Sequence, residues 1–349
     1  MAAMPPRYPA KPRRGDRVAV LSPSSGLPGL FPVPFELGLT RLRDSFGLVP
    51  VEYPTTRRMG STAADRAADL HSAFADPSIA AIVSSIGGDD QITVLRYLDR
   101  ELIAAHPKPF FGYSDNTNLL TFLWECGIVA YHGGSVMVQF GRPGAMHPLT
   151  RASLEAALFT SGAWELPQPD AFGEIERPWS DPATFDSEPA LEPCDPWIWQ
   201  AADRVVEGIA WGGNLEILSW LAMAGIGIGP PEAHEPGVLV LETSEEMPSA
   251  REVGRVLRSF GERGLLRLFD AVLVGRPKAW SFEQRLGPDE RRAFRSDQRD
   301  AIRRALGTYG RDPIVVFDVD FGHTDPQLVI PIGGRIRVDG PDRRITVTY

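Results

Sequence analysis

Three side chains, far apart in a chain of 349 residues, have the types and local settings that acyl-transfer chemistry uses. Ser114 lies in Gly112-Tyr113-Ser114-Asp115-Asn116, between a predicted strand and a predicted helix. A serine on such a turn is pushed out of the sheet edge beside helix N-terminal amides, whose partial positive charge can hold an oxyanion. The position suits a helix N-cap serine equally well. It is not the G-x-S-x-G elbow of α/β-hydrolases, because Asn116 stands where the last glycine belongs. His323, in Phe321-Gly322-His323-Thr324-Asp325-Pro326, follows an apolar strand, where an imidazole can act as general base near neutral pH or can be a plain surface residue. Glu242 closes the run Val238-Leu239-Val240-Leu241. A carboxylate there needs a partner, since burying it alone is costly. That partner is a histidine, as in a triad, or one of the chain's many arginines. Glu245 and Glu246 lie beyond the strand and read as solvated.

Around these stand weaker signals. Gly87-Gly88 ends another apolar run, and glycine lets backbone approach a ligand closely, so this turn is a candidate second oxyanion donor or an ordinary strand-to-helix turn. His132, before Gly133-Gly134, is a second candidate base or a supporting group. Gly212-Gly213-Asn214 can open a ligand loop, or Asn214 can simply cap the next helix. G-x-G-x-x-G, H-E-x-x-H and paired Cys/His sites are all missing, so neither a cofactor nor a metal is expected.

The elements that must carry these residues alternate. Strands are predicted at Val18–Ser22, Ala80–Ile86, Lys108–Gly112 and Ile128–Tyr131. Helical spacing recurs at Phe35, Leu39 and Leu42, then over Thr62–Phe74, Ile92–Leu98, Leu119–Trp124 and Leu149–Phe159. Such alternation predicts an α/β fold whose parallel sheet has helices on both faces. From Leu166 to Trp199 prolines, acids and Trp179, Trp197 and Trp199 cluster, which reads as a long ordered loop whose aromatics favour function. After Val205 come strands at Val238–Glu242, Ala271–Gly275 and Ile314–Val319, helices at Pro248–Gly261 and Asp289–Leu306, and a closing hairpin around Gly340-Pro341. The expected division is 1–165, 166–204 and 205–349.

Composition narrows the classes. The net charge of −9, with acids and bases mixed, argues against a nucleic-acid binder and against an anionic membrane as partner. The basic start MAAMPPRYPAKPRRGD is followed by no apolar run of signal-peptide type, and no stretch approaches a membrane span, so the cytoplasm is the expected compartment. Cys126 and Cys194 have no metal spacing, and Cys126 reads as a small buried hydrophobe.

Taken together, Gly112-Tyr113-Ser114-Asp115, Trp211-Gly212-Gly213-Asn214-Leu215 and Gly322-His323-Thr324, in that order, resemble the LD-carboxypeptidase family of serine peptidases. That family includes murein tetrapeptide carboxypeptidases and microcin C self-immunity peptidases. Matching pieces run from Gly15-Asp16-Arg17-Val18 to Pro331-Ile332-Gly333. The resemblance implies Ser114 as nucleophile, Glu242 as acid, His323 as base, and backbone amides of Gly88 and Asp115 as oxyanion donors. It implies a flavodoxin- or amidotransferase-like N-terminal α/β domain, a smaller β-rich C-terminal domain with the site between them, and a homodimer. Two departures stand out. Asp89-Asp90 occupies a position where the family often has an aromatic, so Asp89 can alter what the pocket accepts, and Thr243 replaces a common aspartate after the acid. The tryptophan-containing loop is similar to the microcin-immunity branch, which implies an aminoacyl-nucleotide substrate contacted by Trp179, with Gly213 and Asn214 as further substrate contacts. A small muropeptide substrate, or a non-catalytic binder on the same scaffold, are the alternatives.

Overall fold

The structure is a computed structural model; it describes residues 7–229, 234 and 237–349, so the first six residues of the basic start lie outside it. Two sheets organise the chain. The first has six strands, in the order Ile330–Ile332, Ala130–His132, Phe110–Gly112, Ile79–Ser84, Arg17–Leu21, Val49–Glu52. All pairings in it are parallel except that of Ile330–Ile332. The second has eight, in the order Ala163–Glu165, Arg344–Thr348, Arg335–Asp339, Val205–Asn214, Gly237–Glu242, Phe269–Gly275, Ile314–Val319, Ile198–Gln200. Its middle is parallel from Val205–Asn214 to Ile314–Val319, with antiparallel strands on both flanks.

Both sheets follow from local sequence. The central strands are near-continuous apolar runs, as strands covered on both faces must be; Val238 to Leu241 are all essentially inaccessible. Helices Ala63–Ala75 and Ala250–Glu262 start where Thr62 and Ser249 cap them, the second through a reciprocal Ser249–Glu252 box. One apolar core fills the first sheet and its helices and continues over one face of the second sheet, through Val238, Val240 and Val316. A second packs Trp211, Leu257, Phe269 and Phe317 on that sheet's other face.

The halves exchange strands. Ala163–Glu165 leaves the first half to edge the second sheet, and Ile330–Ile332 returns to edge the first. The expected helix over Ile92–Leu98 is instead two 3-10 turns, Gln91–Thr93 and Leu95–Tyr97. The β-branched run Ile92-Thr93-Val94 is poorly suited to a helix. In addition, the Gln91 side chain is spent on Asn116 (2.9 Å) and on the Leu119 amide (3.1 Å).

The 166–204 segment is ordered by its own ribbon, Ala171–Phe172 against Glu192–Pro193, and by two buried anchors. Glu174, fully enclosed, accepts from Arg291 and Arg295 at 2.7 Å each. Trp197 donates its indole N–H to Asp320 at 2.8 Å. Trp197 is therefore core, and Trp199 lies on the Ile198–Gln200 strand, which corrects the expectation that this cluster of tryptophans serves function as a group. Cys126 is buried and both cysteines are free. Among the described residues no helix is long and apolar enough to cross a membrane, and no cluster of His, Cys, Asp and Glu could hold a metal ion.

Candidate active site

A cavity of about 530 Å³ opens between the two sheets, walled by Gly87, Gly88, Ser114, Glu245, Trp179 and His323 among others. That volume suits a ligand of nucleoside or short-peptide size.

Ser114 follows the Phe110–Gly112 strand and has φ +61°, a left-handed conformation that costs a non-glycine residue on the order of 1 kcal/mol or more. It makes no capping bond. The 3-10 turn Ser114–Asn116 has Tyr113 at its cap position and runs straight into helix Thr117–Glu125. The N-cap reading of Ser114 is thus replaced by a strained elbow beside a helix start. Gly87 forms its floor: a Cβ there would lie 3.0 Å from Ser114 Cβ and 3.2 Å from Oγ, and 3.5 Å from the Asp115 amide nitrogen. Gly88 lines the cavity one residue on. The buried Asp115 carboxyl fixes this corner, accepting from Ser24 Oγ, the Gln91 amide (3.0 Å) and Asn118 Nδ2 (2.8 Å). Burial pushes its pKa up to about 6, against the pull of these donors. Only the Asp115 amide was expected to matter; the side chain that holds it was not.

Glu242 and His323 meet. His323 Nδ1 donates to Glu242 Oε2 at 2.6 Å, so the acid's partner is the histidine and not an arginine. Glu242 is enclosed by backbone: a Cβ on Gly275 would stand 2.6 Å from Glu242 Cβ, and one on Gly322 3.2 Å from its Oε2. The Tyr113 ring packs on the imidazole, centroids 4.8 Å apart, and so links the Ser114 elbow to the histidine. Burial alone would lower the His323 pKa, but Glu242 and then Glu245 outweigh it and raise it to about 9. Glu245, expected to be merely solvated, has its Oε2 3.3 Å from His323 Nε2 while its side chain remains 54% exposed.

His132 is not a base. It is fully buried, its pKa is lowered to about 4, chiefly by that burial, and it donates Nε2–H to the Phe321 carbonyl at 3.1 Å. It therefore holds the loop that carries His323. Arg142 braces the same loop, binding Asp325 at 2.8 Å and Glu188 at 2.9 Å.

The expected substrate contacts divide. Trp179 lines the cavity, its ring edge-on to Phe31 with centroids 5.9 Å apart. Gly213, Asn214 and Asp89 do not line it. Gly213, at φ +140°, backs tightly onto Thr117. Asn214 caps helix Leu215–Ala224 by accepting from the Ile217 amide at 3.0 Å, and pairs in register with Glu242. Asp89 is exposed. Lys278 and Glu176, an ion pair on the cavity wall, were missed because nothing in their local sequence marks them.

The chain thus has two α/β halves, with Ser114 and His323 facing one cavity. Residues 18–133 match the LD-carboxypeptidase N-terminal domain and residues 207–338 the LD-carboxypeptidase C-terminal domain, and the chain belongs to the LD-carboxypeptidase family. Among its relatives are a putative carboxypeptidase of Treponema pallidum, 30% identical over 83% of this chain and 79% of that one, and the microcin C7 self-immunity protein of Escherichia coli, 26% identical over 82% and 79%. A probable murein peptide carboxypeptidase of Bacillus subtilis is 27% identical over 96% of this chain and 92% of its own. In fold, the microcin C7 self-immunity protein solved with aspartyl sulfamoyl adenosine superposes with a TM-score of 0.85 at 23% identity, covering 99% of both chains. A related protein from Streptococcus pneumoniae, solved with AMP, gives 0.83 at 24% identity over 96% of this chain and 99% of that one.

Proposed function

We propose that this chain hydrolyses an amide bond of an aminoacyl nucleotide analogue through Ser114, His323 and Glu242. The observation that carries the reading is the shared cavity. The strained serine and the carboxylate-paired histidine, 209 residues apart, line one chamber beside a helix start.

In this mechanism His323 Nε2 takes the Ser114 hydroxyl proton as Oγ attacks the acyl carbon. Glu242 holds the ring in orientation and stabilises the imidazolium. The Gly88 and Asp115 amides receive the oxyanion, a contribution of about 10²–10³ in rate for each donor. Nε2 returns the proton to the leaving nitrogen, the C–N bond breaks, and water then releases the acyl group by the same route.

Support for a nucleotide end comes from the cavity's size, from the Trp179–Phe31 pair on its wall, and from fold neighbours solved with aminoacyl sulfamoyl nucleotides and AMP. The murein reading has its own support in the Bacillus subtilis relative. Parallel assays on aspartyl sulfamoyl adenosine and on a murein tetrapeptide decide between them. We expect turnover of the first, and exclusive turnover of the second would overturn the substrate assignment. No covalent labelling of Ser114 by an active-site phosphonate would sink the catalytic reading itself.

A further inference from the structure

His323 is faced by a carboxylate on each ring nitrogen. Glu242 takes Nδ1 at 2.6 Å, and Glu245 stands 3.3 Å from Nε2, the nitrogen that must be free to accept the serine proton. The two acids differ in every other respect. Glu242 is enclosed and hydrogen-bonded, whereas Glu245 is half-exposed on the cavity wall and its approach to Nε2 lacks hydrogen-bond geometry.

The turn that presents Glu245 is built rather than loose. The Ser244 amide and hydroxyl donate to Glu216 at 2.9 and 2.7 Å, and the Glu246 amide donates to Ser244 Oγ at 3.2 Å. Met247 closes the turn in a left-handed conformation, φ +54°. The other groups around His323 are committed elsewhere. Lys278 is ion-paired with Glu176 while its charge also reaches Glu245, Tyr113 covers one face of the imidazole, and neutral His132 is spent on the Phe321 carbonyl. Glu245 is thus a braced anionic side chain beside the reacting centre, weakly held by its present neighbour and open to a ligand.

We infer that Glu245 recognises a protonated amine on the carbon next to the scissile carbonyl, and that docking of this amine draws Glu245 off His323 and frees Nε2 to act as base. The inference rests on the assignment of Ser114 and His323 above. It narrows the substrate class to amides with a free ammonium beside the bond that breaks. An empty site keeps its base as imidazolium. When the amine docks, the Nε2 proton passes to water, and Nε2 can then take the Ser114 proton and deliver it to the leaving nitrogen.

Four proteins and two compounds test this. In the Ser114→Ala protein, which binds without turnover, the NMR titration midpoint of His323 falls by about one pH unit when aspartyl sulfamoyl adenosine binds and stays in place with its N-acetyl form. In wild type, kcat/KM favours the free amine by about tenfold or more, since a charge-assisted contact is lost on acetylation. Glu245→Gln loses that preference and shows a lowered His323 midpoint even without ligand, while Glu246→Gln, one residue along and off the cavity, retains both. A Glu245→Gln protein that keeps the wild-type preference, or whose His323 midpoint does not move, overturns the inference. That outcome together with phosphonate labelling of Ser114 leaves the catalytic assignment standing, whereas absent labelling removes both.

Discussion

The two walls of the cavity are made by different physics. The Ser114 wall is a matter of backbone shape: a serine at φ +61°, a glycine floor where a methyl group would press on Ser114, and a helix start behind them. The wall carrying Glu242, Glu245 and His323 is a matter of charge, two carboxylates raising one imidazole to a pKa of about 9. Damage to the first should therefore change rates without moving the pH profile, and damage to the second should move the profile as well.

The largest expected effect is at the serine. Ser114→Ala should lose on the order of 10⁴–10⁶ in kcat, by analogy with triad nucleophiles, with circular dichroism unchanged. Glu242→Gln should cost about 10⁴ in kcat by favouring the wrong imidazole tautomer. Gly87→Ala sets a methyl group 3.0 Å from Ser114 Cβ and should cost roughly 10²-fold through misplacement of reacting atoms, with the pH midpoint of kcat/KM unshifted. A shifted midpoint in that variant would break the comparison.

In wild type only the neutral imidazole is a base. The folded pKa is raised, so kcat/KM should rise with pH through about 9 rather than through the ordinary 6–7 range expected of an unperturbed histidine. The same charge pairing stabilises the fold fully below about pH 6.5, and that contribution is lost as pH rises through about 9, which thermal melts across this window would detect. The smallest effect is again at the elbow. Ser114→Gly should raise stability by about 1 kcal/mol by relieving the left-handed backbone, measured by denaturant unfolding, while abolishing turnover.

Much of this was legible in the sequence, for identifiable reasons. Long apolar strands such as Gly237–Glu242 and capped helices such as Ala250–Glu262 announce themselves by composition and cap residues. That Glu242 needs a partner followed from four apolar residues before it; that the partner is His323 and not an arginine was implied only by the family resemblance. Strands of three residues, Ala163–Glu165, Ile198–Gln200 and Ile330–Ile332, are too short to show a period. Val49–Glu52 was hidden by Pro50, which an edge strand tolerates and a central one does not. Glu245, Lys278 and Glu176 reach the cavity only through tertiary folding, so their neighbours in sequence say nothing about them. Gly213 and Asn214 looked like ligand contacts because a glycine pair before a helix serves equally as a tight crossing of strand over helix, which is what it is here.

The strand Ile330–Ile332, which begins seven residues after His323 and edges the first sheet, makes the His323 loop, entered from the Ile314–Val319 strand of the second sheet, a tether sewn into both halves of the molecule. Cutting the gene between the halves would consequently leave the leading fragment with an unmatched sheet margin at Ala130–His132. Co-expressed fragments should reassociate through the Ile330–Ile332 strand and through Ala163–Glu165, which edges the second sheet, so a split reporter of this protein would regain turnover only when each piece retains the strand it lends.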